Sequence, residues 1–277
     1  MKKRKIIKLI LVIGILLSLI SGFIIINPII SDPSRTEFQD ITHLVDKLIA
    51  GYDLTEEEYK LVSEQTGLCK TSILKVNELY DYSYLLRYQE DNVNNIEYDT
   101  RFMFFGIKEE VLKKEHLPFV DLQPGDIMIT SSNYTMGIRF GHVGLVINGE
   151  NGKTLESYSP GQKSDYDFDY TWYHYPKIML LRLKEEYRHL IPQIIQYCEE
   201  YLLDINYSIF ASTNQKISLT SSPNKTQCAH LIWAAYKAVG IDLNSNGSWL
   251  VKGRDISLSE YLEVVEVKGY DYNNLWK

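Results

Sequence analysis

Cys228 has a sequence context that could make it a nucleophile. It opens the stretch CAHLIWAAYKAVG, in which apolar residues recur at helical spacing and Gly240 supplies the stop. The pattern predicts a helix with Cys228 in its first turn, where backbone N–H groups lack intrahelical partners and the helix dipole is positive. Such a position favours a thiolate over a thiol. The alternative interpretation is a small cysteine buried in the core.

His142 and Glu156 are the candidate partners of this cysteine. The sequence predicts two antiparallel strands, at 141–147 and 153–158, joined by a hairpin loop. Side chains alternate along a strand. If the numbers of paired residues add up to an even sum, His142 and Glu156 lie on one face, directly opposite or one pair apart. Glu156 could there accept the second ring N–H of His142 and fix its tautomer. A bulge that shifts the sum by one would reverse the face of Glu156.

Each of these two residues also has an ordinary structural interpretation. A single histidine on a strand is commonly a satisfied structural residue, and a glutamate on a hairpin is commonly a solvated charge. The order of the surrounding motifs favours the functional interpretation. They are PGD at 124–126, GHVGLV at 141–146, TLES at 154–157 and QCAHLIWAAY at 227–236.

Together these motifs resemble the NlpC-type papain-like superfamily. The histidine precedes the cysteine, which resembles the circularly permuted YaeF/YiiX-like amidases of that superfamily, over residues 119–270. The resemblance implies an α+β fold with a central antiparallel sheet packed on helices. It also implies that Cys228 is the nucleophile, His142 the base and Glu156 the third polar residue. Tyr207 matches a family tyrosine near the oxyanion, and a tyrosine packed at a domain edge is its alternative interpretation.

The chain departs from this family directly after the cysteine. The permuted branch commonly has a serine and then an acidic residue, where this chain has Ala229 and His230. His230 is two residues beyond Cys228, about 200° around a helix, so we expect it to face away from the sulfur. It is therefore not the predicted base.

The resemblance implies the chemistry of a cysteine hydrolase with no cofactor and no metal. A thiolate attacks an amide or ester carbonyl, and the Cys228 N–H, with Tyr207, stabilises the oxyanion. The preferred function is a membrane-anchored cysteine amidase or peptidase that acts on cell-wall peptides, such as peptidoglycan stem peptides. Cys228 and His230 also resemble the cysteine-x-histidine segment of lecithin:retinol acyltransferase-like enzymes, which suggests an acyl transferase or lipid hydrolase instead. A non-catalytic binding module on the same fold is the second alternative.

Three parts are predicted along the chain. Residues 1–30 form a transmembrane signal anchor, because five basic residues precede an uncharged run at 9–26 that is long enough to cross a bilayer. An uncleaved anchor with its basic flank inside makes the protein single-pass in the cell membrane and its catalytic domain extracytoplasmic. Cleavage is the alternative. Residues 31–118 form a helical membrane-proximal region, and residues 119–277 form the catalytic domain. The finer prediction gives helices at 38–51, 55–67, 72–88 and 188–203, and further strands at 127–130, 175–183 and 261–267.

The charge balance argues against a nucleic-acid partner. The chain has 29 basic and 36 acidic residues, and removing the five basic residues of the anchor leaves 24 basic residues and a net charge of −12. Besides Cys228 the chain has Cys69 and Cys198, and the latter is predicted in the core. The sequence leaves open whether two of the three form a disulfide.

Overall fold

The computed structural model describes residues 12–15, 36–103, 107–135 and 138–273. Within these ranges no helix is both long and apolar enough to cross a membrane. The predicted anchor lies outside the described residues except for 12–15. The described chain is α+β, with antiparallel sheets packed on helices.

A six-stranded antiparallel sheet forms the centre of the molecule. Its order is β10-β9-β3-β6-β7-β8, and its strands are β3 Ile127–Thr130, β6 His142–Asn148, β7 Lys153–Glu156, β8 Asp165–Phe168, β9 Ile178–Leu183 and β10 Leu262–Lys268. A small sheet of order β1-β2-β4-β5 adjoins it and contains β1 Tyr98–Phe102, β2 Lys108–Leu112, β4 Asn133–Thr135 and β5 Ile138–Arg139. The predicted strands at 127–130, 141–147, 153–158, 175–183 and 261–267 are confirmed, with β10 at the predicted edge position.

The helices fall into two groups. The N-terminal group comprises α1 Thr42–Ile49, α2 Glu56–Thr66, α3 Lys70–Leu79 and α4 Tyr84–Gln89, which continues into a π-helical turn at Glu90–Asn94. Thr55 and Glu58 form the expected capping box, and Gly67 ends α2 with a left-handed φ of 74°. The later group comprises α5 Ile191–Tyr201, α6 Cys228–Lys237 and α7 Gly253–Ser257.

Two predictions about the N-terminal group need correction. The prediction that residues 31–118 are helical is wrong for 98–102 and 108–112, which pair as the antiparallel strands β1 and β2. The segment predicted as one helix at 72–88 is two helices, α3 and α4, with a break at 80–83. The hairpin was not predicted because β2 contains Lys108, Glu109 and Glu110. These polar residues enter a strand only because β4 pairs with it and the protein supplies partners for the buried carboxylates.

The cysteine helix α6 packs on β6 through one face of the central sheet. Val143 and Leu145 of β6 lie in the same buried cluster as Leu231, Ile232 and Ala235 of α6. The opposite face of β6 contributes Val146 to a second cluster that contains Trp172. Alternation along β6 therefore directs Val143 and Leu145 to the helix layer and Val146 to the other layer.

Candidate active site

Cys228 is the first residue of α6, as the sequence predicts. Gln227 caps this helix, because its Oε1 accepts the Ala229 backbone N–H at 2.9 Å. The Gln227 Nε2 donates to the Val251 carbonyl at 2.9 Å, and the Cys228 sulfur lies 3.4 Å from Oε1. The Gln227 amide is thus engaged at both ends and fixes the turn that presents the half-buried sulfur. The Cys228 N–H is among the first four amides of the helix, which have no intrahelical acceptor.

A bulge in the β6–β7 hairpin brings Glu156 to the face of His142. Next to the turn, Asn148 pairs with Lys153, a register that would place Glu156 opposite Leu145 if it continued. The register shifts by one residue between Val146 and Asn148, so Glu156 instead pairs with Gly144. The prediction that His142 and Glu156 share a face, one pair apart, is confirmed. From the sequence, a bulge was expected to separate the two side chains, whereas in the structure the bulge brings them to the same face.

Glu156 holds the imidazole and is itself held by two other donors. Its Oε2 lies 2.6 Å from His142 Nε2, and both side chains are buried. Its Oε1 accepts the Thr154 hydroxyl at 2.7 Å and the Trp172 indole N–H at 2.8 Å. These three hydrogen-bond partners stabilise the charge of the buried carboxylate and also fix its orientation. The structure therefore uses Glu156 as an anchor for one nitrogen of His142, which leaves Nδ1 for Cys228.

The electrostatics of this cluster favour a charged imidazole. Burial alone would lower the pKa of His142, but hydrogen bonds with Cys228 and Glu156 and their charges raise it to about 10. Burial alone would raise the pKa of Glu156, but the His142 ring and the Trp172 and Thr154 donors hold it below its usual value. The arrangement thus suits an imidazolium that is paired with the Glu156 carboxylate and has the Cys228 sulfur as its other neighbour.

Trp172 encloses the ring and explains a glycine in β6. Its indole stacks on His142 with ring centroids 5.2 Å apart and planes 20° apart. A Cβ on Gly144 would lie 2.8 Å from the Trp172 ring and 3.3 Å from Glu156 Cγ. Only glycine at 144 leaves room for the side chains of Trp172 and Glu156 to pack against this point of β6. Trp172, Thr154 and Gln227 were missed from the sequence, although the period-two spacing of Thr154 and Glu156 indicates that these two share a face.

The structure brings Tyr207 close to Cys228. Residues 207 and 226 form an isolated parallel bridge, which ties the tyrosine to the segment directly before the cysteine. Burial, and then the charge of Cys228, raise the pKa of Tyr207. Its hydroxyl consequently stays protonated at neutral pH and can donate a hydrogen bond.

His230 lies outside this cluster, as the helical spacing predicts. It is fully buried, and its Nδ1 lies 3.1 Å from the Thr226 hydroxyl. Burial lowers its pKa to about 4, so the ring is neutral. Cys69 and Cys198 are also elsewhere, and all three cysteines are free. Burial raises the pKa of Cys198, which lies in the core as predicted.

In the ranges that the structure describes, no group of three or more His, Cys, Asp or Glu side chains could hold a metal ion. Comparison with known proteins found no matching family model, no matching curated protein and no matching solved structure.

Proposed function

We propose that this protein is a cysteine hydrolase that cleaves an amide bond through Cys228, His142 and Glu156. The observation that carries the proposal is the buried imidazole, which Glu156 holds at 2.6 Å and whose pKa is raised by Cys228 and Glu156 together. A lone structural histidine with a carboxylate partner needs no cysteine beside it. A nucleophilic cysteine needs a neighbouring imidazole, because a cationic ring next to the sulfur favours the thiolate.

The reaction follows from these positions. His142 takes the proton of Cys228, and the sulfur forms a bond with the carbonyl carbon while the carbonyl π electrons move to oxygen. The Cys228 backbone N–H and the Tyr207 hydroxyl are the donors available to the resulting oxyanion. The imidazolium then protonates the leaving amine as the C–N bond breaks. Water, deprotonated by His142, hydrolyses the thioester and regenerates the thiol.

The fold supports the finer assignment to a permuted NlpC-type papain-like domain. The chain runs from a strand with the histidine, through a hairpin with the carboxylate, to a helix with the cysteine at its start. This is the order of elements that the sequence motifs suggested. The substrate class, peptidoglycan stem peptides, and the position outside the cell, anchored by residues 1–30, belong to the same proposal and rest on the motif resemblance and the basic, then apolar, N-terminus.

The test is to identify the group that becomes attached to Cys228. The protein is incubated with wall fragments or with phospholipid vesicles, quenched in acid, and the peptide that contains Cys228 is weighed. A peptidyl adduct, absent in Cys228→Ala and retained in Cys198→Ala, is the expected result. A fatty acyl adduct would instead favour acyl transfer or lipid hydrolysis. No adduct, together with a Cys228 that alkylates no faster than Cys69, would overturn the enzyme proposal and favour a binding module.

A further inference from the structure

A second buried carboxylate, Glu109, lies near the candidate site and outside the segment that carries the sequence motifs. It belongs to β2 of the small sheet and has no exposed surface. Its Oε1 accepts the hydroxyls of Tyr158 at 3.0 Å and Tyr175 at 2.9 Å, and the Asn133 amide at 3.2 Å. Its Oε2 accepts the Arg101 Nε–H. Each oxygen therefore has a donor, and Arg101 balances the charge.

Both tyrosines that Glu109 binds contact the surroundings of His142. The Tyr158 ring meets the imidazole edge-to-face, with centroids 5.0 Å apart and planes 75° apart. The Tyr175 ring meets Trp172 at 5.8 Å and 74°, and Trp172 in turn stacks on the imidazole. Glu109 is thus connected to the imidazole in two ways. One connection runs through Tyr158, and the other runs through Tyr175 and Trp172.

We propose that Tyr158 is a positioning residue for His142, held in place by Glu109, so that the small sheet completes the active site. The inference rests on the proposed function. Glu156 fixes one nitrogen of the imidazole and Trp172 covers one face, which still leaves the ring free to tilt away from Trp172. The edge-to-face contact of Tyr158 with the ring limits that tilt.

The hydroxyl of Tyr158 is what makes this restraint effective. The side chain is 38% exposed, so packing alone leaves the ring room to swing into solvent. The hydrogen bond to a buried, charge-balanced carboxylate removes that freedom, because breaking it would leave a buried oxygen of Glu109 with fewer donors. Small displacements of a catalytic base have large effects on rate, so the orientation of His142 depends on this bond.

Tyr158 and Glu109 also place the start of the catalytic domain earlier in the chain than residue 119. The catalytic domain predicted from the sequence begins at residue 119, whereas Glu109 and Arg101 precede it. If Tyr158 depends on Glu109, a protein shortened to residues 119–277 lacks part of its active site. The β1–β2 hairpin then belongs with the catalytic domain and not with the N-terminal helices.

The experiment uses the full chain and compares Tyr158→Phe with Tyr59→Phe. Tyr59 is the control, because its hydroxyl also donates to a carboxylate, that of Asp53 at 2.8 Å, in the helical region. Each variant loses one tyrosine–carboxylate hydrogen bond. The readout is the rate of iodoacetamide alkylation at Cys228 across pH, which needs no substrate. We expect Tyr158→Phe to slow alkylation near pH 6 by about three- to tenfold and Tyr59→Phe to leave it unchanged.

Two further variants separate the possible failures. His142→Ala must slow alkylation near pH 6 more than Tyr158→Phe does; no effect would overturn the proposed function together with this inference. If His142→Ala has its effect but Tyr158→Phe behaves like Tyr59→Phe, the inference alone is wrong. Glu109→Met, which keeps the length of the side chain but has no acceptor oxygen for the Tyr158 hydroxyl, should reproduce the effect of Tyr158→Phe, and the double variant should be no slower than the slower single variant. Additive effects would show that Glu109 does not act through Tyr158.

Discussion

Replacing Glu156 with glutamine tests whether the carboxylate orients His142. Glutamine keeps the size of the side chain but has one acceptor oxygen and one donor nitrogen in place of two acceptors. In the wild-type protein Oε2 faces His142 Nε2, and Oε1 faces the Trp172 indole N–H and the Thr154 hydroxyl. A glutamine at 156 has two ways to occupy this position, and each one breaks a contact.

In the first orientation the amide oxygen faces His142, and the amide nitrogen faces Trp172. Two N–H donors then oppose each other in a buried place, because the indole can only donate. In the second orientation the amide nitrogen faces His142 Nε2, which must then be an unprotonated acceptor. The ring proton moves to Nδ1, the nitrogen on the Cys228 side, where it prevents the ring from accepting the thiol proton.

The magnitude follows from the cost of leaving one buried partner unsatisfied. That cost is about 1 to 3 kcal/mol, which corresponds to a rate reduced by about five- to 150-fold if it falls on the thiolate–imidazolium state. The fold should survive, because the volume and two of the three contacts are kept. Thr154→Val is the control, since it removes one hydrogen bond that a neutral hydroxyl donates to the same carboxylate and leaves the contact between that carboxylate and His142 intact.

The assay measures the alkylation rate of Cys228 by peptide mass between about pH 5 and 9, with Cys69 as an internal reference. We expect Glu156→Gln to lower the Cys228 rate at the acidic end of this range and Thr154→Val to lower it much less. Urea unfolding of both variants checks that the fold is kept. A Glu156→Gln protein that alkylates like the wild type across the whole range would show that His142 is oriented by something else, and the reasoning from Glu156 would fail.

Three other outcomes are expected. Trp172→Phe keeps a ring over His142 but loses the indole donor to Glu156, so Cys228 alkylation near pH 6 should fall by about two- to tenfold; an unchanged rate would remove Trp172 from the site. Gly144→Ala would place a Cβ 2.8 Å from Trp172, so the free energy of unfolding in urea should fall by about 1 to 3 kcal/mol. The folded-state pKa of His230 is lowered to about 4, so the unfolded chain binds its proton first as the pH falls, and stability is lost between about pH 6.5 and 4. In wild type, the free energy of unfolding should fall by about 3 kcal/mol across this range because of His230, and His230→Gln should abolish that loss. Urea unfolding at the two ends of the range measures it. The same pH dependence in wild type and variant would show that His230 is charged in the folded protein.

Much of the local structure could be predicted from the sequence. The apolar spacing of residues 228–240 predicts a helix that begins at the cysteine, and the structure begins α6 at Cys228. The short apolar runs predict β3, β6 and β9, and the capping box predicts the start of α2. These features depend on residues within one or two turns of each other, so the chain carries the information locally.

The prediction that His142 and Glu156 share a face was correct, but its argument was incomplete. It assumed a regular ladder through the hairpin, whereas the ladder starts in the other register and a bulge between Val146 and Asn148 corrects it. The alternating pattern alone does not show a bulge, because a single extra residue is consistent with the same apolar and polar residues on either side.

The sequence by itself determined which residue types stand at the start of α6 and on β6, and hence the class of chemistry available. Only the tertiary structure decided what surrounds them. Trp172 comes from a loop, Tyr158 follows β7, and Glu109 lies in a strand too polar to be recognised. Trp172 and Tyr158 contact His142, and Glu109 contacts Tyr158, all through segments distant in the chain, which the local period of a helix or strand does not record. If the proposed function holds, the reactivity of Cys228 depends on these surroundings, because the partners of the buried imidazole, against the effect of burial, raise the pKa of His142.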